Sequence, residues 1–116
     1  MTSDPLRGVA ARCEHYTGIQ RVDARTTGCE ACMALGEKWT ALRACMTCGH
    51  VGCCEDSPHA HALAHFRSTG HPLIASLGRG DHWSWCYVHN RYFDLLPNER
   101  PRLRSPFATL LRRFKR

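Results

Sequence analysis

At 116 residues the chain is long enough for one domain, but Leu, Ile, Val and Phe account for only 21 residues, which is few for an ordinary packed core. Eight Cys and eight His supply many metal-binding side chains. Bound metal can replace a missing core, so the composition argues against a disordered chain and against an enzyme built on a hydrophobic core. The net charge of +6 lies entirely in residues 97–116, with seven basic side chains and one acidic; residues 1–96 contain nine of each.

The chain divides into three predicted parts: a leader over residues 1–12, a domain over residues 13–96, and a Pro-containing linker with a basic helix over residues 97–116. We predict a small α+β fold for the domain, a twisted sheet of about five short strands with one main helix near residues 58–69. The predicted strands span residues 39–44, 50–54, 73–77, 83–88 and 91–95.

Two helices in the domain are predicted from their boundary residues. A short helix over residues 30–35 is expected to end at Gly36. The main helix is expected to begin at Ser57 and Pro58, which are typical of an N-cap and a first helical position, and to end at Gly70.

The C-terminal segment carries the pattern of a small amphipathic helix. Ser105 and Pro106 are typical of its start. Apolar residues then recur at i, i+3, i+4 and i+7, opposite Arg and Lys side chains. These apolar positions are Phe107, Leu110, Leu111 and Phe114.

The N-terminal residues contain no apolar run typical of a signal peptide, and no segment has the length and hydropathy of a membrane span. We therefore expect a cytoplasmic protein. In that compartment Cys residues are expected to bind metal or act in catalysis rather than form disulfides.

Twelve Cys and His residues recur at spacings typical of zinc ligands. Two Cys-x-x-Cys pairs are the strongest part of the pattern, because two sulfurs at this spacing reach one ion from a tight turn whose N–H groups can donate to them. Twelve ligands suffice for three tetrahedral sites. The candidates are Cys13, His15, Cys29, Cys32, Cys45, Cys48, Cys53, His61, His65, His71, Cys86 and His89.

Spacing alone leaves the pairing of these ligands open. His61 and His65 are four residues apart, so one helix face could present both to one ion. A catalytic zinc at such a pair would use an acidic residue between the two His, but only Ala and Leu lie there. We therefore expect no metalloprotease activity and no catalytic residues.

The pattern resembles the UBP-type zinc finger, a ubiquitin-binding module, and in particular the small free-standing bacterial members of that family. The resemblance covers about residues 13–96. It is carried by these segments: Cys13-x-His15, Cys29-Glu-Ala-Cys32, Trp39, Cys45-Met-Thr-Cys48-Gly49-His50-Val51-Gly52-Cys53, His61-Ala-Leu-Ala-His65, Thr69-Gly-His71-Pro72 and Trp85-Cys86-Tyr87.

The resemblance implies three zinc ions with interleaved ligands, and sends His61 and His65 to different ions. His89 stands where other members have Cys or Asp, so two ions are the alternative to three. The implied sets are Cys13, His15, Cys86 and His89; Cys29, Cys32, Cys53 and His61; and Cys45, Cys48, His65 and His71.

The resemblance also implies a slot in which aromatic side chains hold the free C-terminus of ubiquitin. The matching aromatic residues, expected to bind peptide, are Trp39, Trp85 and Tyr87.

This chain departs from the family next to the slot, where Glu55 and Asp56 stand in place of a cation. A carboxylate would be repelled there unless Arg43, His50 or Arg79 approaches from another element. We therefore expect a zinc-binding protein-interaction module for another peptide or C-terminal tail, with ubiquitin binding disfavoured.

The basic C-terminal segment supports a second hypothesis. Six of its seven cations are Arg, whose planar guanidinium suits phosphate. Residues Arg100 to Arg116 could therefore bind nucleic acid or another acidic surface, with an affinity that falls steeply as salt increases.

Overall fold

The structure, a computed structural model, describes residues 12–103. Its helices are α1, Glu30–Leu35, and α2, His61–Thr69, and short 3-10 turns span Glu14–Tyr16 and Pro97–Glu99. The strands are β1, Leu42–Cys45; β2, Val51–Cys53; β3, Leu73–Ser76; β4, Trp83–Cys86; and β5, Arg91–Asp94. The predicted α+β fold with five short strands is confirmed.

All five strands form one antiparallel sheet in the order β2-β1-β3-β4-β5. The register places Ile74 opposite Trp85, and Trp85 opposite Tyr92. Directly opposed residues share a face of a sheet. Large aromatic and aliphatic side chains of three neighbouring strands therefore line one face.

The other face of the sheet packs on a small apolar core. Tyr16 from the N-terminal 3-10 turn reaches under the sheet and contacts Phe93 edge-to-face, with ring centroids 4.9 Å apart. The cluster comprises Tyr16, Met46, Leu73, Ala75, Cys86, Phe93 and Leu95.

The helices begin and end for local reasons. In α1 the Cys29 sulfur accepts a hydrogen bond from the Cys32 N–H at 3.4 Å, and the helix ends at Gly36 as predicted. Helix α2 ends at Gly70 but begins at His61, three residues later than predicted. The reason is that the Ser57 hydroxyl accepts the Thr40 N–H at 2.8 Å and so holds a loop instead of capping a helix.

The segment that follows β5 returns to the N-terminal part of the domain. The Arg12 guanidinium donates two hydrogen bonds to the Glu99 carboxylate, at 2.8 and 3.0 Å. Arg102 and Asp23 form an isolated parallel bridge. The predicted basic helix lies outside the described residues. Within residues 12–103, no helix combines the length and apolar character needed to cross a membrane.

Candidate metal centres and ligand pocket

The fold brings the twelve predicted ligands together in three groups of four. Within each group the potential ligand atoms all lie within 4.8 Å of one another. His61 and His65 both lie in α2 but fall in different groups, so pairing the two by their helical spacing does not describe this fold. The groups are Cys13, His15, Cys86 and His89; Cys29, Cys32, Cys53 and His61; and Cys45, Cys48, His65 and His71.

The distances within the groups fit tetrahedral zinc. With Zn–S near 2.3 Å and Zn–N near 2.0 Å, a tetrahedron separates sulfur from nitrogen by about 3.5 Å and sulfur from sulfur by about 3.8 Å. The His61 Nδ1 lies 3.3–3.4 Å from all three sulfurs of its group, and two of those sulfurs, in Cys32 and Cys53, are 3.9 Å apart. The donor set and its spacing therefore suit zinc.

The other two groups show the same separations. In the first, the Cys86 sulfur lies 3.3 Å from His15 Nδ1 and 3.5 Å from His89 Nδ1. In the third, Cys45 lies 3.5 Å from His71 Nδ1, and Cys48 lies 3.4 Å from His65 Nε2. Each group can therefore hold one zinc ion.

Backbone N–H groups point at the sulfurs, as expected for thiolates. The Cys53 sulfur accepts the His61 N–H at 3.1 Å, and the Cys45 sulfur accepts the Thr47 N–H at 3.4 Å. Burial and the neighbouring thiols raise the pKa of Cys32 to about 12. A dication overcomes this because it stabilises the deprotonated sulfur, so metal binding there releases protons.

Side chains outside the three groups orient the proposed ligands. The Thr69 hydroxyl donates to the His65 carbonyl at 2.7 Å and accepts the His71 N–H at 3.1 Å, which links the two His of the third group. The His50 ring stacks on His65 with centroids 4.1 Å apart.

The eighth cysteine, Cys54, joins no group, and its sulfur lies 3.7 Å from the Ser57 hydroxyl.

A pocket of about 250 Å³ lies between α2 and the aromatic face of the sheet. Two of the three residues predicted to bind peptide, Trp85 and Tyr87, line it. The structure does not bring Trp39 to them, because Trp39 precedes β1 and its ring lies against Gly28. The full lining is Arg43, Glu55, Leu63, Ile74, Trp83, Trp85, Tyr87, Asn90 and Tyr92.

Of the three cations considered for the slot, Arg43 is the one that lines the pocket. Its guanidinium carbon lies 4.7 Å from the centre of the Trp83 ring. Sequence reasoning missed Trp83 and Tyr92, although strand alternation places Trp83 on the same face as Trp85. The cross-strand register then adds Tyr92, whose ring centroid is 4.5 Å from that of Trp85.

A negative charge, opposite to that of Arg43, lies in the pocket on a residue of the loop after β2. Glu55 lines the pocket, and its Oε2 accepts a hydrogen bond from the Tyr87 hydroxyl at 3.3 Å. Burial, followed by the adjacent Glu55 carboxylate, raises the pKa of Tyr87, so its hydroxyl remains a donor at neutral pH.

Three Cys/His groups around a short antiparallel sheet define a small zinc-finger domain. Residues 29–98 match the family described as a Zn-finger in ubiquitin-hydrolases and other proteins. The chain belongs to this family, the UBP-type zinc fingers. It is also 46% identical to the protein RPA1320 of Rhodopseudomonas palustris, whose solution NMR structure it matches with a TM-score of 0.71 over 87% of this chain and 91% of that one.

Two curated relatives match over part of their length. The chain is 35% identical over 98 residues to the NAD-dependent deacetylase sir2A of Dictyostelium discoideum, covering 81% of this chain and 18% of that protein. It is 51% identical over 47 residues to ubiquitin carboxyl-terminal hydrolase 16 of Mus musculus, covering 37% of this chain and 5% of that protein. The chain thus spans a small fraction of these relatives.

Proposed function

We propose that this domain is a non-catalytic protein-interaction module that binds three zinc ions and captures the free C-terminus of a peptide. Each Cys/His group supplies four protein ligands to one ion, which leaves no open coordination position for catalysis. The ions have a structural role: by binding ligands from loops and from the sheet together, they hold the loops against the sheet.

The observation that carries the peptide-binding role is Arg43 in an aromatic pocket. Rings of Trp85 and Tyr92 offer flat apolar walls to an extended peptide. The guanidinium of Arg43 can pair with a terminal carboxylate in two parallel hydrogen bonds. Among the described residues this guanidinium donates from one terminal nitrogen to the Leu42 carbonyl at 3.0 Å, so further donors remain for a ligand carboxylate.

The charge of the pocket disfavours ubiquitin as the ligand. Glu55 lies where the family resemblance places a cation, and it adds repulsion toward an incoming carboxylate. The preferred partner is therefore a different C-terminal tail, selected by how it satisfies both charges of the pocket.

Calorimetric titration with peptides that differ only at the C-terminus tests this function. We expect a free carboxylate to bind about tenfold more tightly than the amide, since a bidentate charged contact is lost on amidation. Arg43→Gln should remove that difference. Arg79→Gln, which changes an arginine outside the pocket, should leave it unchanged. Equal affinity for acid and amide, or no binding of either, would contradict carboxylate capture.

A second function, binding of nucleic acid, is supported by a separate groove. Arg21, Arg100 and Arg102 line a groove directly before the basic residues 104–116. Guanidinium groups concentrated in this way suit phosphates. Removing residues 104–116 should weaken binding of a duplex oligonucleotide, because four Arg and one Lys are lost, and should spare peptide binding, because no residue of the aromatic pocket is removed. An unchanged oligonucleotide affinity would argue against this role.

A further inference from the structure

We propose that the pocket selects peptides with a Lys or Arg side chain in one of their last two positions. This inference rests on the proposed capture of a C-terminal carboxylate and adds a specificity to it. Arg43 would bind the carboxylate, and Glu55 would bind the ligand's cationic side chain.

The pocket contains two opposite charges that do not neutralise each other. Arg43 and Glu55 line the same cavity, but the described residues show no ion pair between them or from either to any other charged side chain. Arg43 instead donates to the Leu42 carbonyl at 3.0 Å and lies over Trp83. Both charges therefore remain available to a ligand.

The Glu55 carboxylate is held at the pocket by a neutral contact. The Tyr87 hydroxyl binds its Oε2, and the Tyr87 ring is fixed in turn by stacking on Phe66, with centroids 4.8 Å apart. A carboxylate accepts several hydrogen bonds, so this contact leaves acceptor capacity for a ligand. If the side chain at position 55 served only to bond the loop after β2 to Tyr87, a neutral acceptor would suffice, and the negative charge of Glu55 in the pocket would have no role.

A carboxylate ligand alone would satisfy Arg43 and be repelled by Glu55. A ligand with a cation near its carboxylate would satisfy both, and the apolar stem of Lys or Arg would lie on the Trp and Tyr rings. An extended chain rises about 3.3 Å per residue, so only the last residues of a peptide fit a pocket of about 250 Å³. A cationic side chain in the last or penultimate position is therefore the complementary ligand.

The test uses N-terminally acetylated peptides with free carboxylates, titrated calorimetrically into the zinc-loaded 116-residue chain. The peptides end in Gly-Lys, Lys-Gly, Gly-Ala and Gly-Glu. We expect at least one Lys peptide to bind about fivefold more tightly than the Gly-Ala peptide, and the Gly-Glu peptide to bind more weakly than Gly-Ala, as for a partly exposed ion pair. The net charge of +6 acts against this order, so general attraction cannot produce it.

Glu55→Gln should remove the preference for Lys, while the Gly-Ala peptide should bind at least as tightly as it does to the unmodified protein, because its carboxylate is no longer repelled. Glu55→Lys should reverse the preference toward Gly-Glu. The matched control is Asp56→Asn, which removes the neighbouring exposed carboxylate that does not line the pocket and should change nothing. Native mass spectrometry should count the same number of zinc ions in every variant.

Failure of this inference is distinct from failure of the proposed function. If the Gly-Ala peptide binds and loses affinity on amidation, but neither Lys peptide binds more tightly, the specificity is wrong and carboxylate capture stands. A Lys preference that persists in Glu55→Gln also overturns the specificity. If none of the four peptides binds, both proposals are wrong.

Discussion

Ser84 joins two buried polar groups beneath the sheet. Its side chain is fully buried, and its Oγ lies 2.5 Å from the Tyr16 hydroxyl and donates to the Phe93 carbonyl at 3.0 Å. Burial raises the pKa of Tyr16 to about 12, so this phenol is a neutral donor at neutral pH. Ser84 is thus the acceptor that allows Tyr16 to enter the apolar core.

We expect Ser84→Ala to lower the free energy of unfolding by about 1–3 kcal/mol, because the buried Tyr16 hydroxyl loses its acceptor. Urea unfolding of the zinc-loaded protein measures this. In the Ser84→Ala background, Tyr16→Phe removes the hydroxyl that has lost its acceptor. It should therefore lower the free energy of unfolding by less there than it does in the unmodified protein. Additive losses from the two substitutions would show that the hydroxyls are not coupled.

Gly52 allows α2 to approach the sheet closely. A Cβ at this position would lie 2.6 Å from the Ala62 backbone nitrogen and 2.9 Å from the His61 carbonyl carbon. A helix backbone cannot yield at that distance without moving the His61 side chain away from the sulfurs of its group.

We therefore expect Gly52→Ala to cost about 1–3 kcal/mol of stability and to weaken zinc binding at the second group. Thermal unfolding and competition with a zinc chelator measure the two effects. Gly70→Asn is the control, since Asn tolerates left-handed backbone and nothing lies within 4 Å of an added Cβ there. If Gly52→Ala behaves like this control, the close approach does not limit the site.

At the scale of elements, the sequence predicts what local chemistry determines. Five short strands and α1 are confirmed, but β1 spans Leu42–Cys45 rather than residues 39–44, because the Thr40 N–H bonds to the Ser57 hydroxyl instead of to a neighbouring strand. The predicted start of α2 is wrong, because the Ser57 hydroxyl accepts a hydrogen bond from the Thr40 N–H, 17 positions earlier in the chain, and does not cap the helix. The sequence likewise does not decide whether Arg43 enters the pocket, since its position there depends on the order of the strands in the sheet rather than on any motif.

The Arg12–Glu99 contact anchors the segment after β5 to the start of the domain. Both side chains are mostly buried, with 10% and 17% exposed, and the Leu96 N–H also donates to the carboxylate at 2.8 Å. Hydrogen bonding from Arg12 holds the pKa of Glu99 below its ordinary value. Its contribution to stability is therefore complete at pH 7 and is lost as the pH falls from the ordinary pKa of a Glu side chain through that depressed pKa.

We expect Glu99→Gln to lower the free energy of unfolding by about 1–3 kcal/mol at pH 7, because Arg12 is left partly buried without its counter-charge. The matched control is Asp23→Asn, which breaks a pair with Arg102 whose side chains are 60% exposed. An exposed pair of this kind contributes less than about 1 kcal/mol. Equal losses in urea unfolding would indicate that the Arg12–Glu99 contact does not anchor the segment.

At the scale of the whole molecule, the interior of residues 12–103 contains two clusters of different character. One is apolar and joins the N-terminal turn to β3, β4 and β5. The other consists of three buried cysteines, Cys29, Cys32 and Cys53, against Ala31 and Leu42. The second cluster buries little hydrocarbon, so without metal it offers almost no hydrophobic free energy to hold α1, β2 and α2 together.

Zinc removal should therefore unfold most of the domain. We expect native mass spectrometry to count three zinc ions, and excess chelator to abolish the dispersed amide resonances of the folded protein, since the apolar core alone is small. Restoring zinc should restore the spectrum. A folded, chelator-resistant protein would contradict a structural role for the ions.

Single-site variants should separate the contributions of the two clusters. Cys13→Ser removes a ligand beside the apolar core, which still fastens the N-terminal turn through Tyr16, so we expect two zinc ions and a folded sheet. Cys32→Ser removes a ligand where the thiols themselves form the interior, so amide resonances of α1, β2 and α2 should lose dispersion. Amide spectra of the two variants, recorded at the same zinc concentration, distinguish a fold with two separate clusters from one in which every part depends equally on metal. In a uniformly dependent fold, Cys13→Ser would unfold the domain as completely as Cys32→Ser.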